Sequence, residues 1–182
     1  AGFDGAGGAG VGGTATLALN GVAPVISGDV SVDASGYGGS TALLGDAVGS
    51  GTGGTASLTV AARGAVAGGL TARNIEVLAT GQGYDGAEGL NSGGSGAGGR
   101  ATLTSTNSGI SAVTISVAAE GAGGDGGSYY PEFGYGSVGS AGNGGSATGG
   151  TALITANGGR IDATSTLSVS ASGNGGDGGD IF

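Results

Sequence analysis

Apolar and polar residues alternate in two short segments that recur along the chain. In the first segment, Ala15, Leu17 and Leu19 occupy every second position, and Thr14 and Thr16 lie between them. Successive side chains of a β-strand point to opposite faces, so this alternation predicts a strand with one buried face. The spacing of an amphipathic helix is absent, and each glycine would cost a helix roughly 1 kcal/mol. The chain is therefore predicted to be all-β.

Both segments occur four times, always in the same order. Each copy opens with two glycines and the first alternating strand, and the openings lie at residues 12, 53, 98 and 149. An apolar–polar–small triplet, the second alternating strand and a glycine-rich stretch follow in every copy. The sequence thus predicts one continuous array over residues 1–182. Its repeats are approximately 12–52, 53–97, 98–148 and 149–182, the last of which continues from 1–11.

A single repeat has too few apolar side chains to fold alone. Each large buried side chain contributes at most about 1.5–3 kcal/mol, whereas ordering the backbone costs roughly 1–2 kcal/mol per residue. Stacked repeats share one core, which favours an all-β β-solenoid, like a parallel β-helix, of four repeats with long glycine-rich loops. We expect two coils per repeat; the alternative is a stacked or sandwiched β-sheet with polyglycine-type helices in the loops. In both, equivalent positions should be buried: Leu17, Leu58, Leu103 and Ile154.

Composition excludes several classes of protein. Glycine supplies 50 of 182 residues, but it does not recur at every third position as in collagen. The net charge of −9, with four arginines and no lysine, gives no basic surface for nucleic acid or for anionic lipid. No stretch approaches the roughly 18 apolar residues of a membrane-spanning helix. We therefore expect neither a nucleic-acid partner nor membrane insertion.

The sequence offers little for catalysis. It contains no histidine or cysteine, so imidazole bases, catalytic triads and common transition-metal sites are missing, and we expect no enzymatic activity. A glycine-bracketed aspartate recurs after the second strand, where it could cap its own turn beside a glycine of positive φ. The stretch 175–182 also fits a calcium-binding nonapeptide, with Asp177 and Asp180 as ligands. Calcium is the one cofactor that the sequence suggests.

One segment in the third repeat is rich in aromatic residues. Tyrosine and phenylalanine are frequent at protein interfaces, so the segment predicts a contact patch, and exposed tyrosines there would suit the recognition of surface glycans. The alternative is a local cluster that folds over the side of the array. The patch consists of Tyr129, Tyr130, Phe133 and Tyr135.

The chain resembles a known group of repeat proteins. The opening at 12–17, Gly-Gly-Thr-Ala-Thr-Leu, and the run at 167–173, Leu-Ser-Val-Ser-Ala-Ser-Gly, are similar to the glycine-rich β-strand-repeat regions of giant bacterial surface proteins. These include filamentous-haemagglutinin-like and autotransporter-type adhesins. The resemblance covers the whole chain and implies export, a right-handed parallel β-helix, and a role in adhesion, matrix or filament formation.

Three functions follow as expectations. The first is a structural component of an extracellular bacterial filament or of a biofilm or surface matrix, assembled by β-strand stacking. Its partner would be the protein itself, as a homopolymer or as the continuation of a longer repeat chain, with contacts at the glycine-rich ends. The second is a stalk segment of a large surface adhesin. The third is an ice-binding protein with a threonine-rich face, which Leu153 interrupts in the fourth copy. All three place the chain outside the cell or on its surface.

Overall fold

The chain folds into parallel β-sheets. The computed structural model describes residues 5–41, 47–87, 91–129 and 141–181, and within these ranges it contains β-strands and no helix. Four sheets, which we name A to D in chain order, each take one strand from every repeat, and all strand pairs in them are parallel. The all-β prediction is confirmed.

The bounds of the strands show two kinds of sheet. Sheets A and D consist of two-residue strands next to glycines, whereas sheets B and C consist of longer strands. Sheet A contains β1 (Gly10–Val11), β5 (Gly51–Thr52), β10 (Gly96–Ala97) and β14 (Ala147–Thr148). Sheet B contains β2 (Thr14–Asn20), β6 (Thr55–Ala61), β11 (Arg100–Thr106) and β15 (Thr151–Asn157). Sheet C contains β3 (Asp29–Asp33), β8 (Asn74–Leu78), β12 (Ser108–Ala118) and β16 (Arg160–Ser170), with β7 (Gly68–Thr71) beside β12. Sheet D contains β4 (Gly36–Tyr37), β9 (Gly81–Gln82), β13 (Gly121–Ala122) and β17 (Gly173–Asn174).

The expectation of two coils per repeat is wrong. Two coils would place two strands of one repeat side by side in the same sheet. Instead, each long strand pairs with its counterpart in the next repeat, so that Leu58 lies between Leu17 and Leu103. The two alternating strands of one repeat lie in sheets B and C, and they bury their apolar faces in one shared core.

The core is aliphatic and lies between sheets B and C. Its largest fully buried side chains include Leu58 and Leu103 from sheet B, and Ile75 and Ile115 from sheet C. The prediction of buried equivalent positions holds fully for Leu58 and Leu103, which have no exposed surface. Leu17 and Ile154 are only partly buried, because they belong to the outer strands β2 and β15, which have a neighbour on one side.

A sharp corner connects sheet B to sheet C. Gly21, Asn107 and Gly158 lie at equivalent corner positions with φ of 65°, 48° and 62°. The backbone N–H groups of Gly21 and Asn107 link consecutive repeats: Gly21 donates to the carbonyl oxygen of Ala61 at 2.8 Å, and Asn107 donates to that of Asn157 at 2.9 Å. Glycine adopts this left-handed conformation without strain, and asparagine tolerates it better than most other residues.

The glycine-rich segments pack backbone against backbone. In one layer, the N–H groups of Gly123, Gly126 and Tyr129 donate to the next repeat at distances of 2.8–2.9 Å, which is a recurrence of three residues. Other bonds cross between the layers, as from Gly94 to Tyr84 and from Gly124 to Gly94. Three residues per turn with hydrogen bonds only to neighbouring segments is the geometry of polyglycine-type helices. This feature matches the alternative fold that the sequence left open.

Candidate interaction surfaces

The acidic side chains that the structure describes lie on one side of the molecule. Of the thirteen acidic residues in the chain, nine lie in the described ranges, and all nine belong to sheet C, to sheet D or to the segments directly after them. The described segments that lead into sheets A and B, together with their strands, contain one charged residue, Arg100. The two sides therefore differ strongly in charge. The nine residues are Asp29, Asp33, Glu76, Asp85, Glu120, Asp125, Asp162, Asp177 and Asp180.

The glycine-bracketed aspartates form a row across the repeats. The carboxylate of Asp85 accepts the backbone N–H of Asp125 at 3.0 Å, and the carboxylate of Asp125 accepts that of Asp177 at 2.8 Å. Asp85 and Asp125 thus bond to the next repeat, whereas the sequence suggested capping of their own turns. The flanking glycines also lack positive φ, which in the described residues occurs at Gly21, Gly64 and Gly158 among glycines. In this row aspartate serves to link repeats.

The proposed calcium ligands are both exposed to solvent. Asp177 is the last member of the aspartate row, and three residues later the N–H of Asp180 donates to the hydroxyl of Ser128 at 3.2 Å. Within the described residues, no group of three or more acidic, histidine or cysteine side chains is placed to hold a metal ion. Calcium binding by these two residues stays a prediction.

A bidentate ion pair joins the first two repeats on the outer surface of sheet C. Arg73 donates two hydrogen bonds of 2.9 Å to the two carboxylate oxygens of Asp29, and Asn74 donates a third at 2.8 Å. Hydrogen bonding to Arg73 holds the pKa of Asp29 below its usual value, and the same contact raises the pKa of Arg73. Both side chains are largely exposed, so the pair orients the first two repeats more than it stabilises them.

The predicted aromatic patch is described only at its first residue. Tyr129 is partly buried, and its N–H donates to the carbonyl oxygen of Asp180 at 2.8 Å, which extends the glycine-layer pattern to the fourth repeat. Tyr130, Phe133 and Tyr135 lie outside the described residues. The contact patch therefore stays a prediction.

A shallow groove on the outer surface of sheet D brings together residues that the sequence analysis did not single out. The exposed Tyr37 is aligned with Gln82, which is aligned with Ala122 and then Asn174. Glu120 lines the same groove, which has a volume of about 190 Å³. These residues are far apart in sequence. Only the register of the repeats, read position by position, could have predicted that they meet.

The outer strands β15 and β16, which we name the last edge, expose part of the core. Leu167 and Val169 are aligned with the buried Ile115 and Val117, yet they are 52% and 51% exposed. In the described part of the chain, each of these two strands has a neighbour on one side. The last edge thus combines apolar side chains with a row of backbone groups available for further pairing.

Comparison of the chain with protein-family models, with curated protein sequences and with solved structures gave no match. Among the described residues, no helix is long and apolar enough to span a membrane.

Proposed function

We propose that this protein is a structural unit of an extracellular bacterial filament or surface matrix, and that its copies join end to end by β-strand pairing. The observation that carries the proposal is the last edge, where core-facing Leu167 and Val169 are half exposed beside unextended sheets. In a soluble repeat protein an edge of this kind is covered, for example by a terminal repeat with a polar outer face. Open sheet edges of low charge instead pair readily with another chain.

The occupant we propose for the last edge is the first edge, formed by β2 and β3, of a second copy. The register within the molecule extends directly to such a contact: β15 would pair with β2, and Ile154 would lie against Leu17, which is also partly buried. In sheet C, Leu167 and Val169 would lie against Val30 and Val32. Because Val30 and Val32 are already only 7% and 5% exposed, most of the gain comes from the last edge. Burial of the exposed halves of Leu167 and Val169 is worth about 1 kcal/mol each.

The repeated passage through sheets A to D supports a β-solenoid-like architecture with one coil per repeat, which copies could extend indefinitely. A head-to-tail contact that does not close into a ring generates a filament. Export is supported by the acidic composition rich in glycine, serine and threonine, and by the resemblance to strand-repeat regions of bacterial surface proteins. The exposed aspartate and tyrosine side chains offer hydrogen-bonding groups for contacts with surface glycans.

Disulfide trapping tests the proposed contact directly. Ser168 faces outward in β16 and is aligned through Ser116 and Glu76 with Ser31 in β3. Aligned positions on adjacent strands are close enough for a disulfide, and the chain contains no cysteine of its own. We therefore expect the double variant Ser31→Cys with Ser168→Cys to form a ladder of covalent multimers under oxidation. A non-reducing gel of purified protein, of a surface wash and of cytosol measures both assembly and location.

Two controls define what the ladder means. Each single variant should stop at a dimer. The mismatched pair Thr16→Cys with Ser168→Cys places the second thiol on the outer surface of sheet B and should give no ladder. A double variant that stays monomeric at high concentration, or that gives a ladder equal to that of the mismatched pair, would contradict the proposed contact. Recovery in cytosol alone would contradict the location.

A stalk segment of a large adhesin is the second candidate. The same open edge favours it, because a further repeat of one longer polypeptide would cover Leu167 and Val169 as well as a second copy does. Trapping separates the two candidates. A stalk segment presents its edges to neighbouring repeats of its own chain, and Ser31 and Ser168 lie on opposite outer strands, too far apart to bond to each other. The same double variant of the native parent protein would therefore give no multimer ladder.

A further inference from the structure

The outer surface of sheet B carries a two-dimensional array of hydroxyl groups. Its outward side chains are aligned from strand to strand, and threonine or serine fills most positions. The central part is formed by Ser57, Thr59, Thr102 and Thr104, all partly exposed and aligned in two rows. The complete rows are Thr14–Thr55–Arg100–Thr151, Thr16–Ser57–Thr102–Leu153 and Ala18–Thr59–Thr104–Thr155.

The array is regular in both directions. The ladder of sheet B pairs every residue from Thr14 to Asn20 with β6, and β6 with β11, without a shift in register. Parallel strands then repeat the side chains about 4.8 Å apart across the sheet and about 6.6 Å apart along each strand. Sheet C lacks this regularity, because its register shifts between Ala112 and Thr114.

The array extends toward sheet A. Ser50 and Ser95 are aligned in front of it, since the N–H of Ser95 donates to the hydroxyl of Ser50 at 3.2 Å. The hydroxyl groups of Ser95 and Ser146 lie 3.0 Å apart in the same row. Exposed Thr52 and Thr148 occupy the next row, in register with Ala97. Val11 and Ala97 fill the other two positions of this row, so the hydroxyl array continues only in part beyond the long strands.

The charge on this side indicates which ligands it could take. The described segments that form it contain no carboxylate, and its one charged residue is Arg100, in the row between the hydroxyl groups beside sheet A and the row of Ser57 and Thr102. The described carboxylates that could attract cations or basic partners lie on the opposite side of the molecule. What remains is a surface of methyl and hydroxyl groups, which suits an uncharged ligand that is itself periodic in two dimensions.

We propose that the outer surface of sheet B binds ice. Water molecules held between hydroxyl groups at fixed spacing form bridging hydrogen bonds nearly as good as direct ones. The threonine methyl groups restrict the orientation of the water around them. A rigid periodic surface of this kind can match the repeat of a crystal lattice, whereas it offers a single soluble molecule no pocket. This function is independent of end-to-end assembly, since it uses a face of the sheet and leaves the edges free.

The test is adsorption to ice. The native protein should show thermal hysteresis, the gap between the melting and freezing temperatures of one ice crystal, and should be incorporated into a slowly growing ice hemisphere. Thr102→Arg places a second long charged side chain, beside that of Arg100, in the middle row of the array and should reduce both readouts to the level of buffer. Ser57→Tyr places a bulky side chain in the array on the adjacent strand, β6, and serves as a second, independent variant.

The matched control is Ser116→Arg, in the same repeat but on the outer surface of sheet C. Ser116 is also partly exposed and is aligned with Glu76, so arginine is tolerated there. Circular dichroism confirms the fold of each variant, and Ser116→Arg should keep the full native hysteresis. The proposal is overturned if the native protein lacks hysteresis, if both array variants retain it, or if Ser116→Arg loses as much. Adsorption to crystalline cellulose or chitin without adsorption to ice would also overturn it.

Discussion

Glycine in sheets A and D permits contact between backbones where a side chain would otherwise stand. A Cβ atom placed on Gly96 would lie 1.9 Å from the carbonyl oxygen of Ala122, far inside van der Waals contact. Because Gly96 does not adopt positive φ, this closeness, and not conformational freedom, requires glycine there. The composition could predict glycine-rich segments, but it could not distinguish a flexible loop from a packed layer, since both favour the same residue.

Replacement of single glycines by alanine tests this distinction. We expect Gly96→Ala to lower the free energy of unfolding by about 1–3 kcal/mol, because the new methyl group forces two backbones apart. Gly109→Ala is the matched control: Gly109 also lies in a strand, but nothing stands within 4 Å of the position of its Cβ atom. Its effect should stay within about 0.5 kcal/mol. Denaturant unfolding measures both, and equal effects would mean that the glycine layers are not tightly packed.

The strands were largely predictable because their signal is local. Alternation placed Leu17, Leu58 and Leu103 on the buried side of sheet B, and all three point into the core. The arrangement of the strands was harder to predict from the sequence. Two alternating strands per repeat are equally compatible with two coils and with two facing sheets, and only the pairing of each strand with its counterpart excludes the first. The position of Tyr37 beside Gln82 was unpredictable for the same reason.

The burial of equivalent leucine residues in different repeats should determine how far their replacement by alanine lowers the free energy of unfolding. Leu103 and Leu17 occupy the same position in different repeats, yet Leu103 is fully buried and Leu17 only partly. Leu103→Ala should therefore cost about 2–5 kcal/mol, the usual range for a buried leucine, and Leu17→Ala about half as much. Thermal or denaturant unfolding in dilute solution measures the difference. If Leu17→Ala lowers the free energy of unfolding as much as Leu103→Ala does in dilute solution, the outer strand β2 must already be covered, which would contradict the partial burial of Leu17.

The whole molecule divides its surfaces by chemistry. The side formed by sheet C, sheet D and their following segments carries the nine described acidic residues, whereas the outer surface of sheet B is nearly uncharged. The edges are different again, because at the last edge core-facing side chains such as Val169 reach solvent. Assembly at the edges keeps both faces accessible and repeats them along the filament. It also brings copies of net charge −9 together, a repulsion that dissolved salt screens.

End-to-end assembly should make the thermal stability depend on concentration. A second copy that binds the folded protein and not the unfolded chain stabilises it by mass action, so Tm should rise with protein concentration, and more so at high salt. Val169→Lys should remove this dependence, because it would bury an ammonium group against Val32 of the next copy. Ser168→Lys adds the same charge in the same strand, but its side chain faces outward and should leave the dependence intact. Calorimetry over a hundredfold range of concentration measures all three proteins. A native Tm that is constant over that range, or an equal loss in both variants, would show that the last edge of the free protein does not bind a second copy.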